Sequence, residues 1–324
     1  MNYRALGQTG IKVSEIGFGA WGIGGRTVNQ TSYGDTDDRT SLAALARALD
    51  SGITFFDTSA AYGDGHSESL IGRAFSGRRQ QVVIATKAGY DSWDREPDFS
   101  AAALVASADR SLRRLQTDTI DLLMLHSPSR NVLLQDEPRR ALDSLIDSGK
   151  IRSWGASVKR PADALAALRV GDIPVIQGNF NMMDVRAASG GLFEEMHRRG
   201  SGFIARTPLC FGFLSGTITR DTVFPAGDHR RGWSAAQLAA WIDGANHLLA
   251  MIGSAPGVAG VQAALRFCLS FPDVSSVIPG IMTPIEADQN AAASACGPLL
   301  QVAVDAVLEI NRARQFFVSA ETAN

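Results

Sequence analysis

No run of 18 apolar residues occurs in this 324-residue chain, and its opening, Met1-Asn2-Tyr3-Arg4, lacks the apolar core of a secretory signal. The first absence argues against a membrane-spanning helix and a membrane partner, the second against export. Cysteine is scarce: Cys210, Cys268 and Cys296 form an odd set with no Cys-x-x-Cys and no histidine at metal-ligand spacing. A disulfide framework and a structural zinc site are therefore not expected, whereas a reducing, cytoplasmic location is. Charge of one sign is missing too, since 31 Lys+Arg against 33 Asp+Glu leave a net charge of −2. The densest basic clusters are pairs, Arg78-Arg79, Arg139-Arg140, Arg198-Arg199 and Arg230-Arg231. Nucleic acid needs a basic face or domain, so it is not an expected partner. Low-complexity repeats are also absent.

What the chain does contain is an alternation. Short β-rich apolar runs at 15–19, 54–57, 82–86, 120–125, 153–157, 175–179, 202–207 and 276–279 predict strands. Between them, apolar residues at helical spacing predict helices over 39–50, 67–75, 101–115, 138–148, 161–168, 192–199, 258–271 and 284–293. Gly52, Gly77, Gly149 and Gly200 stand just past helix ends, where a left-handed residue costs glycine no Cβ clash. Pro138, Pro161 and Pro284 stand at helix starts, where no N–H donor is needed. Eight consecutive βα units fit a closed barrel better than an open doubly wound sheet. The expected fold is α/β, a (β/α)8 TIM barrel forming one domain over 1–324, with an N-terminal β-hairpin around Gln8-Thr9-Gly10 and an extra C-terminal helix over 299–316. The hairpin is placed to cap the barrel's bottom. Two long irregular stretches, 23–37 and 217–232, are candidates for function.

Gly17-Phe18-Gly19-Ala20-Trp21-Gly22 spells the glycine pattern of a dinucleotide-binding turn. That turn must open a helix, but Gly24-Gly25-Arg26-Thr27 continue the loop instead, so the glycines read as a loop that lets backbone approach a ligand. Polar residues placed where apolar strands end carry more information. Asp57 closes one strand, Lys87 the next and His126 the one after, which projects all three from the C-terminal rim where barrel active sites form. Tyr62 lies in the loop after Asp57 and can fold over the same mouth.

This set suits proton transfer to a carbonyl or from an alcohol. A phenol becomes an effective acid and base when a cation stabilises its oxyanion, and Lys87 is positioned to do so with Asp57 holding the ammonium. His126 then donates a hydrogen bond to the substrate oxygen or helps protonate Tyr62. No nucleophile elbow or spaced carboxylate pair competes with this chemistry.

At these residues the sequence resembles the aldo-keto reductase family, in particular longer-loop bacterial members similar to channel β-subunits. The likeness is carried by Phe56-Asp57-Thr58-Ser59-Ala60-Ala61-Tyr62-Gly63 with Ser67-Glu68-Ser69-Leu70-Ile71-Gly72, by Ile84-Ala85-Thr86-Lys87, and by Asp121-Leu122-Leu123-Met124-Leu125-His126. The resemblance implies an Asp57, Tyr62, Lys87, His126 tetrad and a nicotinamide cofactor lying extended across the barrel mouth. It places Gly19, Ala20 and Trp21 against ribose and pyrophosphate and Ser157 and Gln177 by the carboxamide, and it counts Asp57 among the cofactor-binding residues. Pro208, Leu209, Phe211, Gly212, Leu214 and Gly216 would wrap the pyrophosphate, while Gly280, Met282, Gln289 and Asn290 would hold the adenosine end. Trp21, Tyr62 and His126 would face the substrate.

The chain departs from the family pattern at three places. Val158 stands where many members have asparagine, Arg206 where many have the aromatic that stacks on nicotinamide, and Gly280 and Glu286 where several have basic residues for the 2′-phosphate. Arg206 can stack through its planar guanidinium. Arg230 in the Asp228-His229-Arg230-Arg231 loop is a candidate for recovering the phosphate contact, so NADP(H) is the favoured cofactor, with NAD(H) kept open. The expected activity interconverts a small-molecule carbonyl and its alcohol. Tyr33, Asp91, Arg95, Ser129, Arg130 and Asn131, with Trp93, lie in the loops that would shape the pocket, and their polarity points to a small hydroxylated, sugar-like substrate. The alternative from another class is a cofactor-binding regulatory subunit with little turnover; a Lys87 Schiff-base lyase is a distant third.

Overall fold

In the computed structural model, residues 1–27 and 32–318 are described. The chain opens with strands β1 (Tyr3–Ala5) and β2 (Lys12–Ser14), paired antiparallel with Tyr3 opposite Ser14. Eight parallel strands follow: β3 (Phe18–Gly19), β4 (Phe55–Asp57), β5 (Val83–Ala88), β6 (Ile120–His126), β7 (Ile151–Ser157), β8 (Val175–Asn179), β9 (Gly202–Arg206) and β10 (Val274–Ile278). Each bonds to its neighbours in sequence order. The ends of the sheet meet as well, because Gly17 N donates to Val277 O at 2.8 Å and Gly19 N to Pro279 O at 2.8 Å. The result is the expected barrel.

Among the described residues, twelve α-helices accompany the strands: α1 (Asp38–Asp50), α2 (His66–Ala74), α3 (Ala101–Leu115), α4 (Arg130–Leu133), α5 (Asp136–Asp147), α6 (Pro161–Leu168), α7 (Arg186–Ser189), α8 (Leu192–Arg199), α9 (Ala235–Met251), α10 (Val258–Leu269), α11 (Pro284–Ala295) and α12 (Gln301–Ala313). Gly52, Gly77, Gly149 and Gly200 all adopt positive φ, as their places after helix ends require. Pro161 and Pro284 open their helices, whereas Pro138 is the third residue of α5 because Asp136 and Glu137 extend the first turn.

Every residue of β6 is buried, as expected for a parallel strand covered by helices outside and side chains within. Inside the barrel, Phe55, Ala85, Leu122, Met124, Val175, Ile204 and Ile278 form one apolar cluster with Leu6, Ile11 and Val13 of the hairpin. The hairpin thus plugs the barrel at its N-terminal end. Gln8 N donates to Gly200 O at 2.9 Å, and the backbones meet closely enough that a Cβ on Gly7, which sits at φ +55°, would strike Gly202 N.

Helix α9 departs from the sequence expectation, which had no element between 217–232 and the helix beginning at Val258. Its apolar residues, Leu238, Ala239, Ala240, Trp241, Ile242 and Leu248, surround the axis instead of forming one stripe, so periodicity gives no signal. Its N-cap was nevertheless visible: Ser234 accepts from Gln237 N at 3.2 Å, in a Ser-x-x-Gln spacing. The extra C-terminal helix is α12, and the chain beyond it packs back on α9, where Phe316 lies against Gly244. Among the described residues, no helix is long and apolar enough to cross a membrane.

Candidate active site

The parallel register brings the strand-terminal polar residues to one rim. Asp57 ends β4, Lys87 lies one residue from the end of β5, and His126 and Ser157 end β6 and β7 as register partners. Lys87 is fully buried and spends all three ammonium donors locally: on Asp57 Oδ1 at 2.6 Å, Thr58 O at 2.8 Å and Tyr62 Oη at 3.2 Å. Burial alone would depress this ammonium, but Asp57 and Tyr62 beside it raise it above the ordinary lysine value, so it stays charged. Because Tyr62 Oη accepts from Lys87, its own proton is left to point elsewhere. Tyr62 and His126 both line the same cleft, with ring centroids 6.0 Å apart.

His126 is held neutral. Burial, then the charges of Lys87, Arg206 and Lys159, pushes its pKa well below the usual histidine value. Its Nδ1 lies 3.0 Å from Ser59 Oγ, a contact with no counterpart in the sequence expectation. The loop carrying Tyr62 is anchored by Thr58 Oγ1 to Ser67 Oγ at 2.8 Å, and by Ser67 Oγ to Ala20 O at 2.9 Å. It also passes so close to the first loop that a Cβ on Gly63, at φ +61°, would collide with Gly24 O.

The cleft has a volume of about 490 Å³ and runs along the C-terminal rim. Of the residues expected around a cofactor, Gly19, Trp21, Asp57, Ser157, Gln177, Arg206, Pro208, Leu209, Phe211, Gly212, Arg230, Gly280 and Met282 line it. Ala20, Leu214, Gly216, Gln289 and Asn290 do not. Leu214 is buried in the core, and Gly216 caps the turn after it. Gln289 and Asn290 lie further along α11, where Asn290 is buried. Lys159 and Thr207 line the cleft without having been singled out as contacts. Their side chains follow no motif, and only the strand-end rule would have drawn attention to them. Part of the loop expected to shape the pocket, 28–31, and the tail at 319–324 lie outside the described residues.

These walls fit an extended dinucleotide. Ser157 Oγ donates to Gln177 Oε1 at 2.8 Å, and Gln177 Nε2 donates to Asp57 Oδ2 at 2.7 Å, which leaves one Gln177 N–H and a Ser157 lone pair for an amide in the cleft. Arg206 donates to Val158 O at 3.0 Å, yet its Nε is buried with no partner. Between Thr207 and Gly212 the backbone turns left-handed at Thr207, Cys210, Phe211 and Gly212, a strained curl of the kind found at ligand clamps. Helix α9 supports that curl from behind, since Trp241 packs against Phe211 and Phe213 at centroid separations of 5.9 and 5.3 Å. At the first loop, Trp21 is wedged against Tyr33 at 5.0 Å and His229 at 4.7 Å.

At the far end of the cleft two charged side chains are already engaged. Arg230 grips Asp228 through Nε at 3.0 Å and Nη2 at 2.7 Å, donates to Phe211 O from Nη1 at 3.1 Å, and stacks on Tyr33 and Phe224. Glu286 lines the cleft while its Oε2 accepts from Met282 N at 2.7 Å and Thr283 N at 3.0 Å, completing a capping box with Thr283 at the start of α11.

Residues 15–312 match the sequence profile of the aldo/keto reductase family. The chain is 32% identical to aldo-keto reductase YhdN of Bacillus subtilis over 292 residues, covering 88% of this chain and 86% of that one. It is 30% identical to the L-glyceraldehyde 3-phosphate reductase of Escherichia coli K12 over 312 residues, covering 90% and 87%. Among solved structures it is similar to aldo-keto reductase AKR11C1 from Bacillus halodurans in its holo form, with a TM-score of 0.76, 26% identity and full coverage of both chains.

Proposed function

The chain belongs to the aldo/keto reductase family and is an NAD(P)-dependent oxidoreductase, and we propose that it interconverts a small, polar, sugar-like aldehyde or ketone and its alcohol with Tyr62 as general acid and base. The observation that carries the reading is the commitment of all three Lys87 donors to Asp57, Thr58 and Tyr62. With Lys87 donating to it, the Tyr62 oxygen can give its proton to a substrate oxygen while the charge left behind is neutralised at 3.2 Å. In the oxidative direction the same oxygen takes the proton back. His126, neutral and lining the cleft, supplies a second donor to that oxygen. Asp57 anchors Lys87 on one carboxylate oxygen and the Gln177 amide on the other, so the acid/base pair and the cofactor amide site share one anchor. A bound nicotinamide would supply or take up hydride at the carbon.

The substrate class rests on the lining. Trp93 gives one apolar wall, whereas Ser127, Lys159 and Arg206 are polar, and among the described residues no carboxylate pairs with either cation. A hydroxylated substrate suits these groups, and a relative whose name specifies a phosphorylated hydroxyaldehyde supports the same class. Within the nicotinamide cofactors, the preference for NADP(H) read from the sequence depended on Arg230. Three of its five N–H donors are taken up by Asp228 and Phe211 O and its charge is paired with Asp228, while Glu286 adds a carboxylate to the lining, which supports NAD(H). Cys210, Cys268 and Cys296 are free thiols, in keeping with a cytoplasmic location.

Fluorescence titration with NADH and, separately, NADPH, followed by an aldehyde panel, tests these points together. We expect tighter binding of NADH, aldehyde-dependent oxidation, and a higher kcat/KM for a sugar aldehyde than for a bulky apolar ketone. Binding without turnover would overturn the enzymatic reading, and a preference for the apolar ketone would overturn the substrate class.

A further inference from the structure

Three aromatic rings fix the plane of the His126 imidazole without distinguishing its nitrogens. Tyr62, Tyr90 and Trp93 meet it edge-on at centroid separations of 6.0, 5.7 and 5.1 Å. Such contacts are indifferent to a half-turn of the ring that exchanges Nδ1 with a carbon, and to which nitrogen carries the proton. The one polar contact among the described residues that reads the ring's chemistry is Ser59 Oγ, 3.0 Å from Nδ1.

Ser59 is fully buried, and its oxygen already accepts the Ala61 N–H at 3.2 Å. The hydroxyl proton therefore has one acceptor in reach among the described residues, and that is His126 Nδ1. A neutral imidazole that accepts at Nδ1 carries its proton on Nε2, the nitrogen on the opposite side of the ring. The same serine also acts through its backbone: Ser59 O accepts from Tyr62 N at 3.1 Å, setting the turn on which Tyr62 is carried.

We propose that Ser59 is a positioning residue that locks His126 in the flip state and tautomer presenting Nε2–H to the cleft, in register with the Tyr62 hydroxyl. The side chain of Ser59 sets one proton donor and its carbonyl sets the other, so a substrate oxygen meets two donors held by a single residue. Burial and the surrounding cations Lys87, Arg206 and Lys159 keep the ring neutral, which is the state in which a tautomer can be chosen. This inference rests on the carbonyl-reduction reading for its kinetic consequence, though its structural content stands apart from turnover.

The test combines long-range 1H–15N NMR of the His126 ring in cofactor-free protein with kinetics of Ser59→Ala in two backgrounds. In the wild type we expect Nδ1 to be unprotonated and Nε2 protonated, and in Ser59→Ala a loss of that single tautomer. Ser59→Ala should lower kcat/KM for the carbonyl by at least about fivefold while the cofactor Kd stays within about twofold. In a His126→Gln background, where the amide offers a donor with no tautomer to choose, adding Ser59→Ala should cost less than about twofold. A wild-type ring protonated on Nδ1, full activity in Ser59→Ala, or equal losses in both backgrounds would each overturn the proposal. If the wild type reduces no aldehyde at all, the functional reading fails while the ring spectrum still decides the role of Ser59.

Discussion

Tyr62 and Lys87 separate two kinds of residue effect, one on the reaction and one on the fold. Tyr62→Phe removes a hydroxyl that needs to act only when the substrate oxygen gains or loses a proton. We expect kcat/KM to fall by about 100- to 10,000-fold, the usual contribution of a general acid, with cofactor affinity unchanged in a fluorescence titration. Lys87→Met also abolishes the support for Tyr62, but it leaves Asp57 buried beside Gln177 without a cation. That should destabilise the protein by about 3–5 kcal/mol in denaturant unfolding, and an Asp57→Asn, Lys87→Met double variant should lose less than the sum of the singles. That Asp57, Tyr62, Lys87 and His126 come together was legible because each is a polar residue ending or following an apolar strand. Ser59 and Lys159 were not, since a serine inside a polar loop and a lysine past a strand carry no pattern that distinguishes them from solvated surface.

Elements that obey a period were legible, whereas α9 and the one-turn helices α4 and α7, too short to show a period, were missed. Helices α3, α6 and α8 have the bounds expected from apolar spacing and their stops. Helix α9, apolar all round and lying outside the strand-helix alternation, had only its cap to reveal it, yet it backs the Thr207–Gly212 curl. At the start of α11, one residue serves both the element and the site. Glu286 bonds the exposed N–H groups of Met282 and Thr283 and turns negative charge toward the cleft. Glu286→Gln keeps an acceptor for those amides but removes the charge. NADPH affinity should rise by about tenfold relative to NADH, on the order of 1.4 kcal/mol, when both are titrated against wild type and variant. An unchanged ratio would show that another group sets the preference.

At the scale of the molecule, eight alternations sufficed to expect a barrel, because a parallel strand followed by a helix has few other ways to bury both faces. The closure between β3 and β10 was less legible: the first strand is only two residues long and is completed by bonds from Gly17 and Gly19. The same closed packing buries a neutral His126, and that has a consequence for acid stability. In the unfolded chain His126 would take up a proton near pH 6.5, whereas burial, then Lys87, Arg206 and Lys159, keeps the folded ring unprotonated well below that. His229, shifted down chiefly by burial, acts in the same direction. The unfolded state therefore binds more protons below pH 6.5, so the stability these rings contribute is fully present above that value and is lost as pH falls from it. Carboxylates such as Asp38 and Asp288, lowered from 3.8, do not begin to titrate until more acid conditions, so the interval from about pH 7.5 to about pH 5 isolates the histidines. Over that interval the wild type should lose about 2 kcal/mol more than His126→Gln, whose amide has no proton to gain. Urea unfolding at both pH values measures the difference, and parallel losses in the two proteins would mean that the folded ring accepts its proton as readily as the unfolded one.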